Sequence, residues 1–234
     1  MCGIFGAINF KGFFSKNDYE KFVSLTDMVS YRGPDASGYK SFNIKSPSAG
    51  IELREELSRK GYTFKSNTDT EVILKVYREY GEAGFNKLNG MWAFALLDIP
   101  SRKIILSRDR FSIKPLYYCT VNSKFYFASE IKQLLPLIPK RVNENIMYVF
   151  LQQGLLDYNE ETFFKGIYKL KPKTNLIINV AENKIENKQY WDYEIEDITN
   201  MDYAIDKFRE LFFDSVKIRL RSDVKVGALL SGGL

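Results

Sequence analysis

Residues 91–128, MWAFALLDIPSRKIILSRDRFSIKPLYYCTVNSKFYFA, carry the strand signal of this chain. Apolar and aromatic residues fill 91–98, 103–108, 116–118 and 125–128, each run too short for a helix. Polar turns separate them, the first at Pro100-Ser101. Read in order, these strands are expected to pair as antiparallel neighbours. Toward the N-terminus, 2–9 is apolar and Gly-punctuated, as a buried strand would be, and Tyr19, Phe22, Val23, Thr26 and Val29 recur at helical spacing. A loop, Arg32-Gly33-Pro34-Asp35, follows. Further helices are expected over 51–60, ended by Gly61, and from the capping box Thr68-Asp69-Thr70-Glu71 to Gly81.

Toward the C-terminus the pattern predicts a helix over 145–153. A hairpin of 175–180 and 184–190 then turns at Ala181-Glu182-Asn183. Beyond Trp191 the character changes. An acidic stretch, 194–197, leads into a long amphipathic helix over 201–220, a wholly apolar strand over 224–230, and Ser231-Gly232-Gly233. A helix, an apolar strand and a Gly-rich loop are how a parallel α/β unit begins. The expected boundary lies near Asp197, giving units 1–197 and 198–234.

With 234 residues, 45% of them hydrophobic and 15% aromatic, the chain has ample material for a buried core. The formal charge of +5 is modest, and Lys and Arg are interleaved with Asp and Glu, so a nucleic-acid partner is not expected. The opening Met1-Cys2-Gly3-Ile4 lacks a basic leader, and no segment is long and apolar enough to span a bilayer; the cytoplasm is the expected compartment and no membrane partner is foreseen. The 2 cysteines, Cys2 and Cys119, are too few for a disulfide framework or a thiolate metal site, and no metal is expected. Cys119 is expected in the core.

Histidine is absent (0 residues), which removes every Cys/His or Ser/His pair, so any catalysis must find its base elsewhere. Cys2 offers one. Removal of Met1 would leave a thiol and a free α-amine on one residue, with ordinary pKa values of about 8.5 and about 7.7 to 8.0. The amine can then take the thiol proton directly or through a water.

Cys2-Gly3-Ile4-Phe5-Gly6 and Arg32-Gly33-Pro34-Asp35 with Gly38 resemble the opening of the class II glutamine amidotransferases, whose processed N-terminal cysteine attacks glutamine. The resemblance continues in order through 66–74 (SNTDTEVIL), 89–98 (NGMWAFALLD), 108–118 (RDRFSIKPLYY), 127–134 (FASEIKQL) and 229–234 (LLSGGL). These motifs are similar to the asparagine synthetase branch, and the last is the front half of its ATP-pyrophosphatase motif. The resemblance implies an α+β fold: an N-terminal nucleophile hydrolase sandwich with αββα layers, followed by the first helix and strand of an α/β ATP-pyrophosphatase domain. It implies Cys2 as the nucleophile and Asp69 as the partner of the glutamine α-ammonium. Arg32 and Gly33 would form a turn beside the nucleophile, and Ser231, Gly232 and Gly233 part of a pyrophosphate loop. Arg108, Asp109, Arg110 and Lys114-Pro115 would be a charged network supporting the site, and Ser112 stands where the family has glycine. The glutaminase reaction needs no cofactor. In the full-length parent, ATP, Mg2+ and aspartate would be further partners, and a homodimer is compatible with the resemblance.

One departure bears on activity. Between Gly38 and Ile51 relatives carry several tens of residues where this chain carries twelve. The stretches without a counterpart hold the arginine that clamps the glutamine carboxylate and the Asn-Gly-Glu of the oxyanion hole. Loss of one oxyanion donor costs about 10²- to 10³-fold in rate. Asn89-Gly90 aligns with a different motif and is not its replacement. The lost strands are expected to leave a sheet edge exposed. The leading reading is glutamine hydrolysis that supplies ammonia for asparagine synthesis. Its rival is a degenerate, non-catalytic relative serving as a scaffold or amino-acid-binding module.

Overall fold

The computed structural model of the chain describes residues 3–32, 51–66, 68–220 and residue 227. Two four-stranded antiparallel sheets form its centre. The first holds β1 (Phe5–Asn9), β4 (Tyr117–Val121), β5 (Lys124–Ala128) and β6 (Tyr168–Lys169) in the order β1-β5-β4-β6. The second holds β2 (Ala93–Asp98), β3 (Lys103–Arg108), β7 (Thr174–Asn179) and β8 (Lys184–Gln189) in the order β2-β3-β7-β8. Helices α1 (Lys16–Asp27), α2 (Ile51–Arg59), α3 (Asp69–Tyr80), α4 (Ile131–Leu134), α5 (Glu144–Gln153) and α6 (Met201–Arg219) flank or follow the sheets, with 3₁₀ turns at Ser30–Arg32, Gly81–Lys87 and Leu135–Leu137.

Period-two alternation sorts the strand residues into layers. Ile8, Phe125 and Phe127 from one sheet meet Ala95, Leu106, Leu176 and Ile178 from the other, closing an apolar seam between the sheets. The outer face of the first sheet, with Tyr126, Ala128 and Cys119, packs with Phe22 of α1 and with Ile131 and Leu134 of α4. The outer face of the second sheet, with Phe94, Leu96, Ile105 and Ile177, is covered by Leu53 and Leu57 of α2 and Val72, Ile73 and Val76 of α3. The layers therefore run α, β, β, α, as the resemblance implied. Cys119 is in the core at 0% exposure.

Gly6 shows why a strand interior takes glycine here. Its cross-strand partner is Phe127, whose ring fills the space that a β-carbon at position 6 would need.

The structure corrects three expectations. The four central strands are not all neighbours: β2 pairs with β3 and β4 with β5, but β3 turns to β7 and β4 lies in the other sheet. The Asp109 turn between β3 and β4 carries the chain across. The capping box at Thr68 does not form, because Thr68 makes no side-chain cap bond and Glu71 is used differently. The predicted first strand begins at Phe5. The strand β8 ends the second sheet with all six residues exposed, and Lys184, Glu186 and Lys188 give it charges that discourage edge pairing. The strand expected over 224–230 lies outside the described residues.

Candidate active site

The first described residues of the chain are held at the end of β1 by the corner between β5 and α4. The Ile4 amide donates to Ser129 Oγ at 2.9 Å, and the Ser129 amide donates to the Ile4 carbonyl at 3.0 Å. Ser129 follows the last ladder pair, Phe5 with Ala128, so the reciprocal contact extends the pairing by one residue. Its hydroxyl replaces a backbone carbonyl as the chain turns away into α4.

Gly3 lies against the end of the α1 layer. A β-carbon there would come within 2.9 Å of Val29 Cβ and 3.4 Å of Arg32 Cδ, so glycine permits the close approach. Arg32 closes the 3₁₀ turn Ser30–Arg32 and makes a salt bridge through Nε to Glu130. The two side chains are 18% and 19% exposed, a half-shielded pair instead of a fully solvated one. The Tyr31 hydroxyl also donates to Glu130, and Lys132 Nζ lies 3.2 Å from its other oxygen. Burial raises the Glu130 carboxyl pKa, but the hydrogen bonds from Tyr31, Arg32 and Lys132 outweigh it and hold the group below the usual carboxylate range. The Glu130 amide donates to Gln133 Oε1 at 3.1 Å, and Gln133 Nε2 donates to the Leu25 carbonyl at 3.0 Å, which fixes the corner to α1.

Tyr117, on β4, connects this corner to the second sheet. Its hydroxyl pKa is raised by burial first, and it lies within the electrostatic reach of Arg108, Arg32 and Glu130. Arg108 is buried at the end of β3. Nε, Nη1 and Nη2 donate to the carbonyls of Lys114, Leu170 and Ser112 at 2.8, 2.6 and 3.1 Å. Asp109 accepts from the amides of Phe111, Ile113 and Lys114 at 3.0, 3.0 and 2.9 Å. The charged network foreseen at 108–115 is therefore a loop held by charge-to-backbone bonds. Ser112 sits at φ 59, the left-handed region expected from the family glycine, so a β-carbon is carried at some strain.

Asp69 is the first residue of α3, on the helical layer behind the second sheet. Its position suits a carboxylate, since the helix N-terminus is partly positive. Arg32 belongs to the opposite layer; the structure thus brings Arg32 to Gly3 and holds Asp69 on a separate element. The segment ahead of Asp69 is organised by Glu71, which accepts from the amides of Lys65 and Ser66 at 3.0 and 2.8 Å. Those bonds and the Ser66 hydroxyl hold the Glu71 carboxyl down to about 2. Cys2, Gly33, Ser231, Gly232 and Gly233 lie outside the described residues. Asn89-Gly90 precedes β2 as irregular backbone. The sequence signal for Ser129 and Glu130 is a Glu at a strand-to-helix corner with Gln three residues later, within 127–134 (FASEIKQL).

The family described as glutamine amidotransferase domain matches residues 50–191, more than half of the chain. The chain belongs to the glutamine amidotransferase domain family. The asparagine synthase family matches residues 207–234. Asparagine synthetase [glutamine-hydrolyzing] 1 of Bacillus subtilis is 31% identical over 274 residues, covering 100% of this chain and 42% of that protein. Putative asparagine synthetase [glutamine-hydrolyzing] 2 of Methanocaldococcus jannaschii is 31% identical over 287 residues, covering 100% of this chain and 55% of that protein. Among solved structures, the glutamine phosphoribosylpyrophosphate amidotransferase of B. subtilis in complex with ADP and GMP aligns with a TM-score of 0.45 and 17% identity over 72% of this chain and 33% of that one. The chain thus spans about half the length of the curated relatives it matches. The Bacillus alignment is 40 positions longer than the chain, 274 against 234, in keeping with several tens of residues lacking a counterpart here.

Proposed function

We propose that this amidotransferase domain hydrolyses glutamine through Cys2 and that its parent delivers the ammonia to asparagine synthesis. The observation that carries the reading is the seating of Gly3 against Arg32 at the start of β1, in a sandwich of αββα layers. Cys2 directly precedes Gly3 in the sequence, which supports the reading.

After Met1 is removed, the α-amine of Cys2 accepts the thiol proton. The sulfur attacks the side-chain amide carbon of glutamine, the C–N bond breaks, and the nitrogen leaves as ammonia with the returned proton. Water then cleaves the glutamyl thioester to give glutamate and the free thiol. Asp69 pairs with the substrate α-ammonium, which selects an amino acid over a simple amide. Arg32 and Gly33 form the turn beside the nucleophile. With no counterpart for the oxyanion segment, turnover is expected about 10²- to 10³-fold below that of a complete site.

The match at 207–234 supports a second, ATP-using unit in the parent, where Ser231, Gly232 and Gly233 would belong to the loop that holds the pyrophosphate of ATP with Mg2+, and aspartate would be the acceptor. A cytoplasmic setting suits a thiol that must stay reduced. Among the described residues no helix is long and apolar enough to cross a membrane.

The test is ammonia release from glutamine by the chain freed of Met1, beside Cys2→Ala. Release that disappears in the variant supports the reading, whereas equal background in both identifies a non-catalytic scaffold.

A further inference from the structure

Backbone pairing would ordinarily fray at the first residues of a chain, because an end strand has one neighbour and no preceding residue to anchor it. In this chain the residue two positions after Cys2 has both backbone groups satisfied, and both by Ser129. The donor at Ile4 meets a side-chain hydroxyl at the last extended positions before α4, since Glu130, still extended at φ -135 and ψ 143, is the N-cap of that helix. A residue without an acceptor at the γ position cannot make that bond. Ser129 is only 6% exposed, so water is a poor substitute there. The next residue, Glu130, pairs with Arg32, whose aliphatic stem would be met by a β-carbon at Gly3. Two adjacent residues of one corner thus fix the chain on both sides of Gly3: Ser129 from the sheet, Glu130 through the 3₁₀ turn.

We infer that Ser129 and Glu130 are positioning residues for the N-terminal nucleophile, Ser129 by holding Ile4 in register and Glu130 by holding Arg32 against Gly3. The inference rests on Cys2 being the nucleophile of a glutaminase. Neither residue touches substrate in this account; each acts on where the thiol and amine of Cys2 stand. A displacement of about 1 Å at a reacting group can cost about 10²-fold in rate.

Three variants of the Met1-processed chain test it: Ser129→Ala removes the γ acceptor, Ser129→Thr restores it, and Glu130→Gln keeps the shape and removes the charge. Hydrogen exchange of the Ile4 amide is read by NMR, alongside kcat and KM for glutamine. In Ser129→Ala, Ile4 should lose protection and kcat should fall about tenfold to a hundredfold with KM little changed. Ser129→Thr should recover both to within about threefold, and Glu130→Gln should lower kcat about threefold to tenfold with Ile4 still protected. Unchanged Ile4 protection in Ser129→Ala overturns the clamp. Lost protection with kcat within about twofold of the parent chain overturns the positioning role. A parent chain without Cys2-dependent ammonia release would sink the glutaminase reading itself, and the inference with it, a result distinct from either of the others.

Discussion

Replacing Arg108 by Met and by Lys separates two explanations of why a buried guanidinium closes β3. If geometry matters, the three fixed donors are what counts: they bond the carbonyls of Lys114, Leu170 and Ser112 at 2.8, 2.6 and 3.1 Å. In Arg108→Met the Leu170 carbonyl, in a buried bond, is left unpaired at about 1–3 kcal/mol, while water can reach the two part-buried carbonyls, at about 0.5–1 kcal/mol each. Relief of the buried charge offsets part of this, for a net loss of about 1–4 kcal/mol. Arg108→Lys keeps the charge and its desolvation, yet an ammonium cannot span three carbonyls on different sides, so the loss should be of similar size, about 2–3 kcal/mol. Urea unfolding followed by circular dichroism, with an unchanged m-value, measures both. If attraction to Asp109 were instead the reason, Lys would suffice. A Lys variant within about 0.5 kcal/mol of the parent chain would refute the geometric account.

Four further outcomes are expected. Glu71 has its carboxyl lowered from 4.5 to about 2, so the order it gives to Lys65 and Ser66 is complete above pH 4.5 and is lost as pH falls toward 2; the two amide resonances should titrate with a midpoint near 2, and a midpoint near 4.5 would contradict the bonding. Gly6→Ala forces a methyl into the Phe127 ring and should lower stability by about 1–3 kcal/mol, a fall in melting temperature of about 2–12 °C by calorimetry. Ser112→Gly relieves a left-handed residue at φ 59 at some cost in chain entropy, so unfolding should show a gain of about 0–1 kcal/mol. A chain ending at Asp197 should keep the melting temperature of the sandwich, and a drop beyond about 4 °C would show that α6 supports it.

Much of the fold was legible because its signals are local. The runs at 103–108 and 184–190 give strands over Lys103–Arg108 and Lys184–Gln189, and Gly81, at φ 63, ends α3 as a residue free to take a positive φ would. Pairing was less legible. Nothing in the spacing of residues 108–117 says whether a turn returns to its own sheet or crosses to the other, and the answer lies in Arg108 and Asp109 bonding to backbone groups, which no propensity encodes. The Thr68 box failed because Glu71 found nearer donors in the preceding loop. At the site, Cys2 and Arg32 stood out by residue type. Ser129 did not, since a serine after a strand is unremarkable until its hydroxyl is seen to face the amide of a residue 125 positions away.

The two units differ in how completely they bury themselves. The sandwich has a buried core, with Trp92, Phe94, Phe125 and Leu116 at or near zero exposure. α6 buries none of its residues, and Phe208, Leu211, Phe212 and Val216 are 70%, 56%, 55% and 40% exposed. Spacings of three and four put these on one face, an amphipathic helix whose apolar face is left uncovered by the described residues. An isolated helix of this length gains little from propensity alone and needs tertiary packing to be stable. The asparagine synthase match starts at residue 207, within α6, and the glutamine amidotransferase match ends at residue 191, before it. The ends of the two matches and the exposure of α6 both support a division between Trp191 and the helix. These observations support the boundary we propose near Asp197: the two sheets bury an apolar seam between them, whereas α6 buries no side chain among the described residues.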